Sequence, residues 1–252
     1  MAFDVAGDAY SQFMGRYSEP LATQFVDWLS PPAEAIALDI GCGPGALTSV
    51  LVDRYGSDRV HAADPSAPFR EALHKRLPEV DVRDATAADL PWADGEFDLA
   101  LASLVVHFMP DPVAGLAEMR RVTRPGGIVA ATVWDIGGQR APVSLLMLAA
   151  QELEPTVPGD EGLPGAVRGQ LPTYFEKAGL TEVEETELEV AVTYTSFDEW
   201  WEPYTLGVGP AGDYVRGLTT EKREALRQRC RERMGEAPFD VRATAWAVVG
   251  RV

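Results

Sequence analysis

From residue 35 to residue 135 the chain alternates short apolar runs with segments whose apolar positions recur at helical spacing. The runs are AIALDI, RVHAA, VDVRD, FDLALAS and GGIVAATVW, and the helical segments are GALTSVLVDRY, SAPFREALHKRL and the stretch from Val113 to Val122. Short apolar runs of this kind predict strands buried on both faces, and their alternation with helices predicts a mainly parallel sheet covered on both sides. Right-handed crossovers then bring the C-terminal ends of the strands to one edge, where sheets of this kind bind ligands.

The flanks are less regular. Glu19-Pro20 opens LATQFVDWL as a helix with proline in its first turn, and Ser30-Pro31-Pro32 closes it. The preceding AYSQFMGRYS is unusually aromatic. Beyond residue 135, EPTVPGDEGLPGAVRG is rich in Pro and Gly and reads as a mobile connection or lid. Leu188, Val190, Val192 and Tyr194 alternate with Glu189, Ala191 and Thr193, the mark of a strand with one wetter face. FDEWWEPYTLGVGPAGDYV leads into TEKREALRQRCRERM, a helix whose mixed charges read as a solvated face, and RATAWAVVG supplies a last strand. No internal repeat is visible.

A length of 252 residues fits one catalytic domain. With 39 acidic and 22 basic side chains the formal charge is −17, a field that repels phosphate backbones and anionic headgroups, so neither nucleic acid nor a membrane surface is an expected partner. Asp4 and Asp8 interrupt the N-terminal segment, and no apolar core of signal-peptide length follows. The longest apolar stretch, Leu99 to Met109, is far shorter than the roughly 20 residues of a spanning helix. Cys42 and Cys230 build neither a disulfide framework nor a metal cluster, and a reducing cytoplasm suits them. No metal is expected. The pattern carries no information on oligomeric state.

Asp39-Ile40-Gly41-Cys42-Gly43-Pro44-Gly45 lies at the end of the first strand and opens into a helix, the context a nucleotide loop requires. Glycine at 41 and 43 permits a tight turn and close approach of backbone to ligand, and Gly45 admits the following helix. The spacing differs from the dinucleotide G-x-G-x-x-G, and Asp39 would repel a pyrophosphate while favouring a cofactor that carries an ammonium and a sulfonium. Asp64, at the end of the second strand, stands where a carboxylate accepts from ribose hydroxyls. Small residues from Ala85 to Ala88 leave room for a flat adenine.

LDIGCGPG, the acid of AADPS, ADLPWADGEFDLALAS, HFMPDP and RRVTRPGG follow one another in the order found in class I methyltransferases, which this chain resembles over residues 36 to 134. The resemblance implies a Rossmann-like, doubly wound α/β sheet of seven strands, mostly parallel with the last antiparallel, plus helical cap or lid insertions. It implies S-adenosylmethionine as cofactor and S-adenosylhomocysteine as product. The expected organisation is one domain over 1–252, with an N-terminal helical lid at 1–34, a cofactor core at 35–135, and cap or substrate-region insertions at 136–181 and 196–238. The N-terminal YSQFMGRYS and the stretch WWEPYTLGVGPAGDYV also resemble a bacterial small-molecule subgroup. Where many relatives place an aspartate for the adenine amino group, four residues before the Leu-Pro pair, this chain has Thr86, which leaves that hydrogen bond to a hydroxyl and to the backbone of Ala87.

His107, just after the fourth strand, is the candidate base at the acceptor edge. Arg16 is a candidate partner for the cofactor's carboxylate, and Tyr10 a candidate cover over it. Cys42, Pro65 and Ser103 complete the expected cofactor neighbours, and Trp200, Trp201 and Tyr204, with His107, are candidate walls of an acceptor pocket. The expected activity is methyl transfer to a small molecule. The rivals are a non-catalytic S-adenosylmethionine-binding regulator and, against the glycine spacing, an NAD(P)-dependent oxidoreductase.

Overall fold

A computed structural model describes residues 11–157, 162–207 and 209–252; Tyr10 and the middle of the Pro- and Gly-rich segment lie outside the described residues. Helix α1 (Arg16–Leu29) precedes β1 (Ala37–Ile40), α2 (Ala46–Tyr55), β2 (Val60–Ala63), α3 (Ala67–Arg76), β3 (Asp81–Arg83), β4 (Phe97–Ser103), α4 (Pro112–Val122) and β5 (Thr123–Trp134). There follow α5 (Ser144–Leu153), α6 (Gln170–Lys177), β6 (Thr181–Tyr194), α7 (Phe197–Thr205), α8 (Gly209–Gly217), α9 (Thr220–Met234) and β7 (Phe239–Arg251).

The strands form one seven-stranded sheet in the order β3-β2-β1-β4-β5-β7-β6. The first four pairings along it, from β3 to β5, are parallel, whereas β7 runs antiparallel to both β5 and β6. This is the doubly wound sheet with an antiparallel last strand that the sequence led us to expect. The strand order reverses between β1 and β4, so the turns leaving these two strands open a crevice at their C-terminal ends.

Side chains along a strand alternate between faces, and β4 shows how both faces are used. Leu99 and Leu101 pack with Phe25 and Val26 of α1 and Leu47 and Leu51 of α2, while Ala100 and Ala102 pack with Leu116 and Met119 of α4. Strand β7 continues past the end of β5: residues 239 to 244 pair with β6 alone. The projecting arm carries Val190, Tyr194, Val241 and Ala243 into a cluster with Leu146 of α5, Trp200 and Tyr204 of α7, Val215 of α8, and Leu226 and Cys230 of α9. Of α9 only Leu226 and Cys230 are buried, and Arg229 and Arg233 pair with Glu152 of α5, so its charges tie it to a neighbouring helix as well as facing water. At the two sheet edges, β3 is three residues long and β6 exposes Glu182, Glu184, Glu187 and Glu189.

Three expectations need correction. Helix α1 begins at Arg16, so Pro20 lies inside it; a π-helical turn over Ser11–Gly15 leads in, and Ser30 closes the helix in the left-handed conformation (φ 42°). Much of α1 is a layer of the core rather than a lid, because Ala22, Phe25 and Val26 have no exposure to speak of. The cap expected over 136–181 ends before α6, whose Leu171 and Phe175 bury against the sheet with Leu116, Met119 and Val248. Among the described residues no helix is long and apolar enough to cross a membrane. We expect Phe175→Ala to cost about 3–5 kcal/mol, as removal of a core ring does, and to lower the urea midpoint with an unchanged slope; a midpoint within error of the parent would return α6 to a peripheral role.

Candidate functional site

At the end of β1 the backbone bends through three glycines with positive φ: Gly41 (69°), Gly43 (53°) and Gly45 (96°). The amides of Gly41 and Cys42 both donate to the carbonyl of Ala63, at 2.7 and 3.0 Å, which fastens the bend to the end of β2. A Cβ at Gly41 would lie 2.5 Å from a methyl of Val105, so this glycine lets the turn after β1 touch the turn after β4. A Cβ at Gly45 would lie 2.5 Å from Leu73 of α3 and 3.9 Å from Thr48 of α2, the helix that directly follows it, so the tighter constraint comes from α3. At Gly43 a Cβ would meet nothing within 4 Å, so the space over that residue is open. Cys42 turns its side chain into the core with Ala62, Leu73 and Val80, and burial raises its thiol above the usual range.

Two buried carboxyls flank the bend. Asp64 accepts from the amide of Gly43 through one oxygen and from that of Ser66 through the other, both at 2.8 Å. Burial raises it above the ordinary carboxylate value, against the lowering effect of those two amides and of Arg70. Asp39 accepts from the hydroxyl of Thr48, in the first turn of α2, at 2.6 Å, and burial pushes it up to about 7. The anchor for Asp39 is therefore a helix hydroxyl rather than the amides of the bend. Pro65, beside Asp64, is exposed.

Across the crevice β4 ends in a strained turn. Leu104 has φ 63°, unusual for a side chain branched beyond Cβ, and its amide is held by the carbonyl and hydroxyl of Thr132 on β5, at 2.9 and 3.2 Å. Ser103 shares that hydroxyl at 3.1 Å. The turn delivers His107, buried and with Nδ1 unpartnered, onto a cavity of about 90 Å³. Leu104, Phe108, Trp134 and Pro142 line it, with Phe13 from before α1 and Ala211 of α8. Burial alone lowers His107 to about 4, so its ring is neutral near pH 7.

Residues 38–131 match the methyltransferase domain family. Over those residues, less than half of its length, the chain is similar to methyltransferases. It is 36% identical over 140 residues to an uncharacterized methyltransferase of Mycobacterium tuberculosis, a match covering 56% of this chain and 54% of that one, so it spans about half the length of such relatives. It is 28% identical over 204 residues to nocamycin O-methyltransferase of Saccharothrix syringae, covering 73% of each. In fold it is similar to geranyl diphosphate C-methyltransferase of Streptomyces coelicolor, solved with Mg2+, geranyl diphosphate and S-adenosyl-L-homocysteine (TM-score 0.56, 16% identity, 94% of this chain and 80% of that one).

Several expected site residues are disposed differently. Arg16 donates to Glu199 at 2.5 Å and lies 5.0 Å from the ring centre of Tyr194, so its charge is already matched within the chain. Trp200, Trp201 and Tyr204 do not line the cavity; they sit on one face of α7 and are buried, with Tyr204 packing on Phe13 edge to face at 4.7 Å. Their i, i+1 and i+4 spacing made a core face and a pocket wall look alike. Thr86 is exposed, its carbonyl accepting from Asp89 at 3.2 Å, and Ala87 is buried against Gly115. Among the described residues no group of three or more His, Cys, Asp or Glu could hold a metal ion. Sequence reasoning passed over Val105, Leu104 and Trp134. The last was within reach, since it ends GGIVAATVW at the ligand edge.

Substituting Gly43→Ala should cost only the left-handed strain of about 1–2 kcal/mol yet weaken S-adenosylmethionine binding, whereas Gly41→Ala should impair folding as well; paired melting and calorimetry would show whether the two glycines part in this way. Asp39→Asn should raise the melting temperature. The carboxyl titrates higher folded than unfolded, so its ionisation opposes folding increasingly from the ordinary carboxyl range up to about 7 and fully above it. The gain should therefore be larger at pH 8 than at pH 4, and equal gains at both would contradict the burial argument.

Proposed function

We propose that the chain passes the methyl group of S-adenosylmethionine to a small-molecule acceptor by direct displacement. The supporting observation is a single juxtaposition: an open glycine bend flanked by carboxyls touches, through Val105, the turn whose Leu104 and His107 line an apolar cavity. The residues present fit the cofactor. The space over Gly43 is the room a Cβ would take, and Asp64 uses two of its roughly four acceptor positions on backbone amides, leaving others for ribose hydroxyls. Both carboxyls have raised pKa values, so a cation arriving near them is favoured and a pyrophosphate is not.

When bound, the cofactor supplies a methyl group on a positively charged sulfur, which needs no covalent activation by the protein. The chain's own work is alignment and exclusion of water. Asp64 orients the ribose, the exposed Thr86 and the Ala87 backbone meet the adenine edge, and Asp39 holds α2 against β1. His107 is neutral and positioned to take a proton from an acceptor that begins protonated. The likeness to nocamycin O-methyltransferase supports a small organic acceptor.

Asp64→Ala should weaken S-adenosylmethionine by about 1.5–3 kcal/mol in calorimetry, the scale of a hydrogen bond to a charged group. His107→Ala should depress turnover with cofactor affinity unchanged. In the parent, turnover that depends on this base should hold through pH 6.5 and fall only toward pH 4, because protonation of His107 is delayed to about 4. Tight cofactor binding with no S-adenosylhomocysteine formed across a broad metabolite panel would leave the chain a binder rather than a transferase.

A further inference from the structure

The acceptor cavity has a chemical character of its own. No Lys, Arg, Asp or Glu is among the residues that line it, and its walls are mainly Phe, Met, Leu, Ile, Pro and Ala side chains. The nearby Arg16 is matched by Glu199. In this apolar setting two polar side-chain atoms are buried without a partner, His107 Nδ1 and Trp134 Nε1. Trp134 is 4% exposed and His107 8%. A buried indole N–H normally finds an acceptor, as Trp246 does on the adjacent strand by donating to Asp135 at 3.0 Å. Trp92 and Trp200 also lack a partner, but neither borders this cavity.

Taking the transferase reading as its basis, we propose that the acceptor is a neutral, largely apolar molecule bearing a hydroxyl, whose oxygen accepts from Trp134 Nε1 and whose hydrogen is donated to His107 Nδ1. The pair is complementary: the indole can only donate, and a neutral imidazole offers one nitrogen as acceptor. A hydroxyl satisfies both at once. A carboxylate would satisfy the indole but bring a charge into a cavity without a cation to receive it, in a chain whose formal charge is already −17. An unsubstituted hydrocarbon would leave both nitrogens unpaired. Trp134 is thus assigned as a specificity-determining residue, reading the acceptor's polar atom while the apolar walls read its skeleton.

The test uses the full chain without cofactor, labelled with 15N at the indole nitrogens, and three probes that share one tolyl group: 4-methylphenol, toluene and 4-methylbenzoate. We expect 4-methylphenol to shift the Trp134 indole resonance saturably and to bind roughly three- to tenfold more tightly than toluene, the return on one neutral hydrogen bond. We expect 4-methylbenzoate to bind least. Trp134→Phe keeps the ring bulk and should erase the preference for 4-methylphenol over toluene while leaving toluene affinity and S-adenosylmethionine affinity as in the parent. The inference is overturned if the benzoate binds as well as the phenol, if the preference survives in Trp134→Phe, or if none of the probes perturbs that resonance. Calorimetry with S-adenosylmethionine on the same samples separates the two levels: a chain that binds the cofactor but prefers the benzoate retains its transferase reading and loses only this one, whereas failure to bind the cofactor strikes at the transferase reading itself.

Discussion

Where β1 and β4 run side by side, the turn leaving one meets the turn leaving the other with no space for a methyl group between Gly41 and Val105. Neither turn can shift alone. The bend is also held from behind by two amides on the carbonyl of Ala63, and the β4 turn by Thr132 on β5. Four neighbouring strands thereby fix one crevice, and the geometry between a ligand over Gly43 and a ligand beside His107 is set by sheet register rather than by loop conformation. The positive φ of Leu104 is intelligible in this light: a strained residue persists where surrounding contacts leave it no alternative, and here it turns the chain toward the cavity.

The electrostatics of the crevice are divided by the same contact. On the β1 side, two buried carboxyls are held with too little solvation, a state that a cationic ligand relieves. On the β4 side the walls are apolar and the one titratable ring is neutral. The proposed displacement, from a charged donor to an uncharged acceptor, would be served by such a division.

Much of the parallel core was legible because its signals are local and repeated. The runs ALDI and FDLALAS are long enough for their apolar character to fix them as strands, and the glycine bend has a spacing that few other structures need. What was misread depended on contacts distant in sequence. Arg16 gave no sign that Glu199, 183 positions away, would take its charge. A helix face such as that of Phe197 to Tyr204 carries the same pattern whether it buries against its own domain or lines a pocket, and only the arm made by β6 and β7 decides between them. Likewise Phe175 belongs to the sheet because β7 returns beside β5, a pairing that no local pattern announces.

The two borders of the sheet bear on how the molecule lives among its own copies. A bare strand edge is a template for a foreign strand, and this chain offers one border only three residues long and another studded with charged side chains, Glu182 and Glu184 beside the Arg140–Glu187 and Arg242–Glu189 ion pairs, which a docking strand would have to accommodate. Growth of the sheet by addition of a strand from a second copy is therefore disfavoured at both borders.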